Sequence, residues 1–525
     1  YNPRVAAALF CWAGENRFND PRAVLKMLAF LLACRIPDYR SKLLIRLDGE
    51  ARLGEYNERE LFRVLLEEPL HGLIDGGRET LCIVIDGLDE AGTAEENLLA
   101  ETLGRYMPLL PRWLRVLVTG RPVAAVTQPL GGGLQLALEG RSRENLEDVR
   151  QYFAETLRGC RAKAPNWQAS LDELTRRSHG IFLYAELVCQ GILAGKLVLT
   201  DWDRFPDGLQ DAFTRWFQWF FPDRREFEAE FTLPLGAICA AAEPLPLEEL
   251  RRVFVWNESQ LHRFLRRIDV LLDHGESVFG KETVTLSHKY IGEWLTDPSR
   301  NSLYFVSVSD AKEAMAGAFY DRFQKGPKAL TQFESLYLCD LLKDCGKTAE
   351  WREAVCSNDL CWKILDAGDY CKEWGHLDEA MRCYRCGLSV TEQGRSVSED
   401  MEVLRNYSVC GNRIGGLEQT AGNREAAREW YEKSLSIREQ LAETRGTPGN
   451  QRDLSVSYNR LGDLARKDGD LQAARDWCEK ALTIRERLAE TRGTPEDQRD
   501  LSVSYNSLGD LARKDGDLQA ARDWC

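Results

Sequence analysis

Several features common in proteins are scarce in this sequence, and each scarcity excludes a class of function. No apolar run in the 525 residues reaches the roughly 18 that a membrane helix needs, so no membrane span is expected. The formal charge of −14 argues against nonspecific nucleic-acid binding as the main activity. The 16 cysteines lack the density of a small disulfide scaffold, which favours a reducing, cytoplasmic location.

Zinc-type ligand sets are equally scarce. Cys383 and Cys386 form a single C-x-x-C, with no matching second pair to complete a four-ligand site. Cys383 also stands at the position that Trp430 and Trp477 occupy in later repeats of the chain. We therefore interpret the cysteine pair as part of the hydrophobic packing.

One stretch, residues 81–90, carries the clearest chemical signal. Its sequence LCIVIDGLDE joins an apolar run to an acidic cluster, the pattern of a buried parallel strand that delivers carboxylates to its end. Asp86 is a hard oxygen ligand suited to Mg²⁺, and Asp89 and Glu90 can orient or deprotonate a water molecule. The alternative is an ordinary core strand followed by a polar turn.

A second apolar strand, Val116 to Val118, ends in the sequence TGRP. Because ligands bind at the carboxyl ends of parallel strands, Arg121 is placed to contact a phosphate there; the alternative is a solvated surface arginine. Strands are also predicted from Val5 to Trp12 and from Leu134 to Leu138. Four such strands separated by helical segments predict a parallel α/β sheet.

The strings IVIDGLDEAG and TGRP resemble the extended Walker B and sensor 1 segments of NACHT-type STAND NTPases. The resemblance implies a P-loop NTPase sheet that binds ATP or ADP with Mg²⁺, with Asp86 as the metal ligand. It also implies catalytic roles for Glu90, Asp89 and Arg121, with Arg121 contacting the γ-phosphate. Gly120 departs from the family, which usually has Ser there.

The phosphate-binding loop of such enzymes is missing, because no G-x-x-x-x-G-K-[S/T] occurs in the chain. The family carries this loop before the strand with which the sequence begins, so we expect the chain to be a fragment. ATPase activity is accordingly expected of a full-length parent, and the fragment by itself is expected to be inactive.

From Arg143 onward the periodicity is helical. The segments SHGIFLYA at 178–185 and FPDGL at 205–209 resemble the helical domain of nephrocystin-type NACHT proteins. Short helices, a hairpin around Gly280 and the string LSHKYIGEWL then resemble the winged-helix domain of STAND proteins. That resemblance implies that His288 senses nucleotide by reaching the β-phosphate of ADP; a structural helix cap is the alternative.

The last third of the chain repeats itself. Trp430 and Trp477 lie 47 residues apart, and so do Gly422 and Gly469. The unit matches the tetratricopeptide helix-turn-helix pattern, although that motif usually has a period of about 34. We assign the excess to a longer second helix, Ala481 to Arg492, and to a Gly-Thr-Pro loop.

A polar trio recurs on the first helix of the repeat and forms a candidate partner-binding face: Asn459, Asp463 and Arg466, then Asn506, Asp510 and Arg513. An Asn side chain can hydrogen-bond a peptide backbone through both its donor and its acceptor, and an Arg side chain can bind a carboxylate with two parallel hydrogen bonds. A network that stabilises neighbouring repeats is an alternative of equal weight.

These patterns predict an NTPase domain at 1–140, a helical domain at 141–230, a winged helix at 231–300, a helical connector at 301–359 and repeats at 360–525. The predicted fold class is a partial α/β P-loop NTPase sheet, followed by all-α helical and winged-helix domains and a TPR α-solenoid.

The leading hypothesis is a STAND signalling NTPase: an ATP/ADP switch in defence or regulation, whose repeats bind a protein or peptide and which forms a nucleotide-dependent homo-oligomer. One alternative is a repeat scaffold with an inert NTPase core. Another is a DNA-binding regulator, for which a basic face on the winged helix is only weakly supported by five arginines: Arg251, Arg252, Arg263, Arg266 and Arg267. We expect neither a nucleic-acid nor a membrane partner.

Overall fold

The computed structural model describes residues 3–11, 20–48, 56–71, 73, 79–92, 96–515, 519 and 524. It divides into two units, one formed by Tyr1–Gly132 together with Arg322–Cys525 and the other by Gly133–Asp321. In the part of the chain that is described, no helix has the length and apolar character needed to cross a membrane.

A three-stranded parallel sheet forms the N-terminal part of the first unit. Its strands are β1 (Val5–Phe10), β2 (Leu81–Asp86) and β3 (Leu114–Val118), with β2 in the middle. The register pairs Leu9 with Ile85 and Ile85 with Val118. Ile83 and Ile85 are fully buried, while Val84 on the opposite face is half-buried, which accounts for the continuous apolar run of the central strand.

Three of the four predicted strands are confirmed, and the prediction for Leu134 to Leu138 is wrong. That segment pairs with no described strand, and its three leucines are at least 80% exposed. A strand exists only where a neighbour satisfies its backbone groups, so alternating apolar residues do not suffice. Trp12, the predicted end of the first strand, lies outside the described residues.

Six helices contribute to the core around this sheet: α1 (Pro21–Arg35), α2 (Pro37–Leu47), α3 (Glu58–Phe62), α4 (Glu68–His71), α5 (Leu98–Tyr106) and α6 (Ala124–Thr127) among the described residues. Helix α1 begins at Pro21, because the Asp20 carboxylate accepts hydrogen bonds from two backbone N–H groups of the first turn and proline is favoured at the first helical position. A π-helical turn, Arg63–Glu67, separates α3 from α4.

The second unit combines helices with a small antiparallel sheet. Its strands β4 (Leu245–Pro246), β5 (Leu272–Glu276) and β6 (Glu282–Leu286) lie in the order β4-β6-β5. Its helices before residue 300 are α7 (Arg143–Thr156), α8 (Trp167–Ser178), α9 (Phe182–Leu193), α10 (Gly208–Phe220), α11 (Arg224–Glu230), α12 (Thr232–Ala240), α13 (Leu247–Val253), α14 (Glu258–Ile268) and α15 (Lys289–Leu295).

Aromatic side chains of α10 form the core of this unit. Phe217 is fully buried, and its ring centroid lies 5.0 Å from that of Trp294 and 5.5 Å from that of Tyr304. Such pairs stabilise a core beyond the area that they bury. Trp216 is buried as well, so these two aromatic side chains belong to the core and do not form an exposed stacking surface for bases.

The remaining helices lead into the repeats: α16 (Val308–Phe323), α17 (Gln332–Asp344), α18 (Thr348–Val355), α19 (Asn358–Glu373), α20 (Leu377–Val397), α21 (Met401–Thr420), α22 (Arg424–Thr444), α23 (Pro448–Asp468), α24 (Leu471–Thr491) and α25 (Pro495–Lys514). From α19 onward, pairs of helices form helix-turn-helix units. Gly375, Gly422 and Gly469 stand at the turns with φ of 81°, 85° and 85°, a left-handed conformation that favours glycine.

The structure corrects the explanation of the long period. The excess is shared by both helices, since α23 and α24 each contain 21 residues. The Gly-Thr-Pro segment is not wholly a loop, because Thr447 and Thr494 are N-caps and Pro448 and Pro495 are the first helical residues. Proline is tolerated there, since the first helical N–H has no partner within the helix.

Candidate functional site

The acidic cluster begins where β2 ends. Asp86 is exposed at the last position of the strand, directly after the fully buried Ile85. Gly87 follows with φ of 69°, and a Cβ at this position would lie 3.2 Å from the backbone oxygen of Cys11. Glycine therefore lets the chain leave the strand and enter a 3₁₀ turn, Leu88–Ala91, which carries the other two acids.

Thr119, directly after β3, orients Asp86. Its hydroxyl donates a hydrogen bond to the Asp86 carboxylate and accepts one from the Gly87 N–H at 3.1 Å. Its backbone oxygen accepts from Leu88 N at 2.9 Å. The sequence reasoning assigned Thr119 no role; its place in the TGRP string, next to an acidic strand end, was the available signal.

Asp89 and Arg121 come together as neighbours in space. The Arg121 N–H donates to Asp89 Oδ1 at 3.0 Å, and Arg121 Nε lies 3.6 Å from Asp89 Oδ2. A Cβ at position 120 would lie 3.3 Å from both the backbone nitrogen and Oδ1 of Asp89. Gly120, the departure from the family string, thus leaves room for the Asp89 carboxylate.

Glu90 is half-buried in the same turn, whose shape Asn97 maintains. The Glu90 N–H donates to Gly87 O at 2.8 Å. Asn97, which is 2% exposed, donates from its side chain to Leu88 O at 2.8 Å and caps α5 by accepting from Ala100 N. A buried amide with both ends satisfied is a rigid support.

The electrostatic effect of the cluster appears at Cys11, which follows β1. The pKa of the Cys11 thiol is raised to about 11, first by burial and then by the carboxylates of Glu90, Asp86 and Asp89. The carboxylates at and after the end of β2 therefore create a negative electrostatic potential that acts on the residue after β1.

The donor set fits Mg²⁺ as a partner of nucleotide phosphates. Among the described residues, no three His, Cys, Asp or Glu side chains converge to hold an ion by themselves. Mg²⁺ does not need such a set, because it keeps several waters and takes one or two carboxylates together with phosphate oxygens. Asp86, exposed and oriented by Thr119, fits as that carboxylate.

His288 lies in the second unit, at the N-cap of α15. Its Nδ1 accepts from the Tyr290 N–H at 3.4 Å, and its side chain is exposed. The residue thus adopts the capping position that sequence reasoning gave as the alternative. Its nucleotide-sensing role stays a prediction.

The repeat trio makes contacts within the array. With its amide oxygen turned toward Arg485, Asn459 accepts from Nη1 at 2.7 Å and from Nη2 at 3.0 Å. Arg466 pairs with Asp463 at 2.9 Å along the helix, and Arg513 pairs with Asp510 at the same distance. Asn506 is exposed. These contacts fit the stabilising alternative for Asn459, and partner binding by the trio stays a prediction.

Carboxylates neutralise part of the predicted basic face. Arg251 pairs with Glu258 at 2.7 Å, Arg267 pairs with Glu226 at 3.5 Å, and Arg252 lies 4.0 Å from Glu248. A phosphate backbone would have to compete with these carboxylates.

Two family matches cover the N-terminal region that contains the parallel sheet and part of the C-terminal repeats. Residues 2–121 match the family described as nephrocystin 3, N-terminal, and residues 407–487 match the tetratricopeptide repeat family. The vegetative incompatibility protein HET-E-1 of Podospora anserina is 26% identical over an alignment of 336 residues, and the match covers 61% of this chain. The chain spans 23% of the length of that relative.

The solved structures that the chain matches include a STAND protein with a tetratricopeptide repeat sensor from Pyrococcus horikoshii. It is 13% identical, and the match covers 98% of this chain and 87% of that one, with a TM-score of 0.28. BtubC from P. vanneervenii is 20% identical over 41% of this chain and 86% of its own, also with a TM-score of 0.28.

These matches show an N-terminal part that is similar to the nephrocystin 3 N-terminal family and a C-terminal part with tetratricopeptide repeats. Together with the similarity to HET-E-1, they support a resemblance of the chain to NACHT-like STAND proteins with tetratricopeptide repeats.

Proposed function

We propose that this chain carries the catalytic carboxylates and the sensor array of a STAND signalling NTPase that switches between ATP and ADP. The observation that supports this proposal best is the meeting of Asp86, Asp89, Glu90 and Arg121 where β2 and β3 end, on turns shaped by Gly87 and Gly120.

Asp86 would hold the metal. Bound Mg²⁺ would neutralise charge on the β- and γ-phosphates, as in other phosphoryl-transfer sites. Thr119 keeps the Asp86 carboxylate in one orientation through its hydroxyl. This orientation costs no rearrangement when the nucleotide arrives, which is the basis of catalysis by preorganised charge.

Glu90 and Asp89 would have different roles in hydrolysis. Both oxygens of Asp89 face Arg121, so Asp89 acts as a positioning residue that directs the guanidinium. Arg121 keeps 40% of its side chain exposed and can reach a γ-phosphate. Glu90 would orient or deprotonate the attacking water.

The experiment needs a longer protein in which a phosphate loop precedes this chain, since these 525 residues contain none. In it, Asp86→Asn should weaken Mg²⁺-dependent ATP binding and abolish hydrolysis. Asp48→Asn, at an exposed acid after α2, is the matched control and should leave both unchanged. Full ATPase activity in Asp86→Asn would remove the metal role assigned to Asp86. Absence of ATPase activity in the unmodified longer protein would favour a repeat scaffold with an inert NTPase core.

The repeats would bind a protein or peptide partner, as tetratricopeptide arrays do along their extended surfaces. Partner binding would then shift the nucleotide state, because a ligand moves an equilibrium only through different affinities for its two states. Nucleotide-dependent homo-oligomerisation belongs to the same proposal, and sedimentation of the longer protein with ATP and with ADP tests it.

A further inference from the structure

We call the interface between the first helices of two successive repeat units a seam. Two neighbouring seams contain the same set of hydrogen bonds from one buried arginine, which we call the clamp. In the first of them, Arg438 of α22 donates to the Ser408 hydroxyl at 3.2 Å, to the Ser457 hydroxyl at 3.0 Å and to Asp453 O at 2.7 Å. Ser408 belongs to α21 and Ser457 to α23, so one arginine ties the first helices of successive units together. Arg438 is 4% exposed.

The clamp recurs 47 residues later. Arg485 of α24 donates to the hydroxyls of Ser455 at 3.2 Å and Ser504 at 2.8 Å, and to Asp500 O at 3.0 Å. The same three side-chain types at the same spacing show that the clamp is a property of the repeat.

One unit earlier, all three positions differ. The arginine position is taken by Thr391 of α20, and the two serine positions are taken by Cys361 of α19 and Cys410 of α21. The Thr391 hydroxyl donates within its own helix, at 3.0 Å from Gly387 O and 2.9 Å from Leu388 O. This seam therefore lacks the buried arginine of the other two, although Arg413 of α21 pairs with Asp369 of α19 elsewhere along it.

The two cysteines face each other across that seam. Their sulfur atoms lie 4.0 Å apart, and the residues are 1% and 0% exposed. Two thiols this close, on different helices, need only small side-chain rotations and helix adjustments to approach bonding distance. Nothing in the NTPase proposal uses them.

We propose that Cys361 and Cys410 are an oxidation site, at which a reversible disulfide joins α19 to α21 and replaces the clamp of the other seams. The oxidant is a peroxide. One thiolate attacks an oxygen of hydrogen peroxide, giving a sulfenic acid and, after protonation, water. The second thiol displaces the sulfenic oxygen as another water and forms the S–S bond. Two thiols and one peroxide thus yield one disulfide and two waters, and the peroxide is reduced.

Access to this site depends on opening of the seam. The hydrogen bond with the Cys361 thiol, and then burial, raise the pKa of Cys410 well above its ordinary value, so its reactive thiolate is scarce while the helices are packed. Oxidation should accelerate when the seam opens, and the bond should then hold the first unit of the array closed.

The test uses the whole 525-residue chain. The protein is treated with hydrogen peroxide, its free thiols are alkylated, and a non-reduced tryptic digest is analysed by mass spectrometry. We expect a peptide containing Cys361 linked to a peptide containing Cys410, and we expect a thiol reductant to separate them. Cys356 lies on the same tryptic peptide as Cys361, so fragment ions must place the bond at Cys361.

Variants provide the controls. Cys361→Ser should remove the cross-link, and Cys356→Ser should leave it unchanged. Amide hydrogens in α19 to α21 should exchange more slowly in the oxidised wild type than in the reduced wild type. A bond between Cys371 and Cys383 in place of the expected one, or oxidation only to sulfinic acid, would overturn the proposal. These measurements on unmodified wild type do not depend on the folding of any variant.

Discussion

Thr119 shows how one hydroxyl can organise the end of two strands. It donates to Asp86 and accepts from Gly87, so the orientation of the Asp86 carboxylate depends on β3 as well as on β2. Gly120 has a comparable role without a side chain, because it leaves the space that Asp89 fills. At the scale of single residues, the site therefore rests on neighbours that take no part in the proposed chemistry.

Glu90 is the residue assigned to the activation of the attacking water. In the longer protein, Glu90→Gln should leave ATP bound and slow its hydrolysis by about 10²- to 10³-fold, since one oriented catalytic contact typically contributes this much. Single-turnover phosphate release measures the effect. Glu101→Gln, at an exposed acid on α5, is the control. Wild-type turnover in Glu90→Gln would remove the assigned role.

His288 tests the proposed sensing of ADP. In the longer protein, His288→Ala should weaken ADP retention about tenfold, the loss expected for one contact of about 1.4 kcal/mol. It should also favour activation without a partner, because it removes a contact made in only one state. His274→Ala replaces an exposed histidine of the same unit that pairs with Asp269, and it should have no effect. ADP release at the wild-type rate would leave His288 a helix cap alone.

Among the elements, the repeat helices are the most uniform. Residues 451–478 and 498–525 are identical apart from Arg460 and Ser507. Identical sequences nevertheless have different surroundings, because α23 packs against α24 on one side and α22 on the other, while α25 is the last helix described. Equivalent residues can therefore differ in their contacts, as Asn459 and Asn506 do.

This difference in contacts predicts that replacing Asn with Ala changes the stability of the array by different amounts at positions 459 and 506. Asn459→Ala should destabilise the array by about 1 kcal/mol, because it removes an acceptor from the buried Arg485. Asn506→Ala should leave stability nearly unchanged. Urea unfolding, with hydrogen exchange of α24 peptides, measures both.

The double variant tests the partner-binding face. If the trio binds a partner, Asn459→Ala with Asn506→Ala should abolish partner-triggered activation of the longer protein. Partner binding that survives in the double variant, together with a marked loss of stability, would assign the trio to the array itself.

At the scale of the whole molecule, the 525 residues hold the carboxylates of the proposed nucleotide site but no G-x-x-x-x-G-K-[S/T] loop. The loop normally supplies the backbone amides and the lysine that bind the phosphates. Asp86 with bound Mg²⁺ can replace only part of this attraction.

The chain by itself should therefore bind ATP only in the millimolar range or not at all, a binding free energy of about −4 kcal/mol or weaker. Titration calorimetry with Mg²⁺ present measures this directly, and Asp86→Asn should give the same result as wild type. Submicromolar binding would contradict both the importance of the loop and the assignment of the sheet.

Local patterns in the sequence determined the features that depend on neighbouring residues along the chain. The apolar run before Asp86 predicted the central strand, and the 47-residue spacing predicted the repeats; the dipeptide Asp20-Pro21 is in the same way a local pattern typical of the start of a helix such as α1. Each depends on chain geometry alone: burial of a continuous apolar strand, capping of free N–H groups, and stacking of identical units.

Only the tertiary structure decided which distant residues meet. Leu134 to Leu138 has the pattern of a strand but no described partner, and a sequence pattern does not show whether a partner exists. The contacts of Thr119 with Asp86, of Asn459 with Arg485 and of Cys361 with Cys410 join residues 26 to 49 positions apart. Such contacts follow from the packing of whole elements, which brings together side chains that local periodicity does not relate.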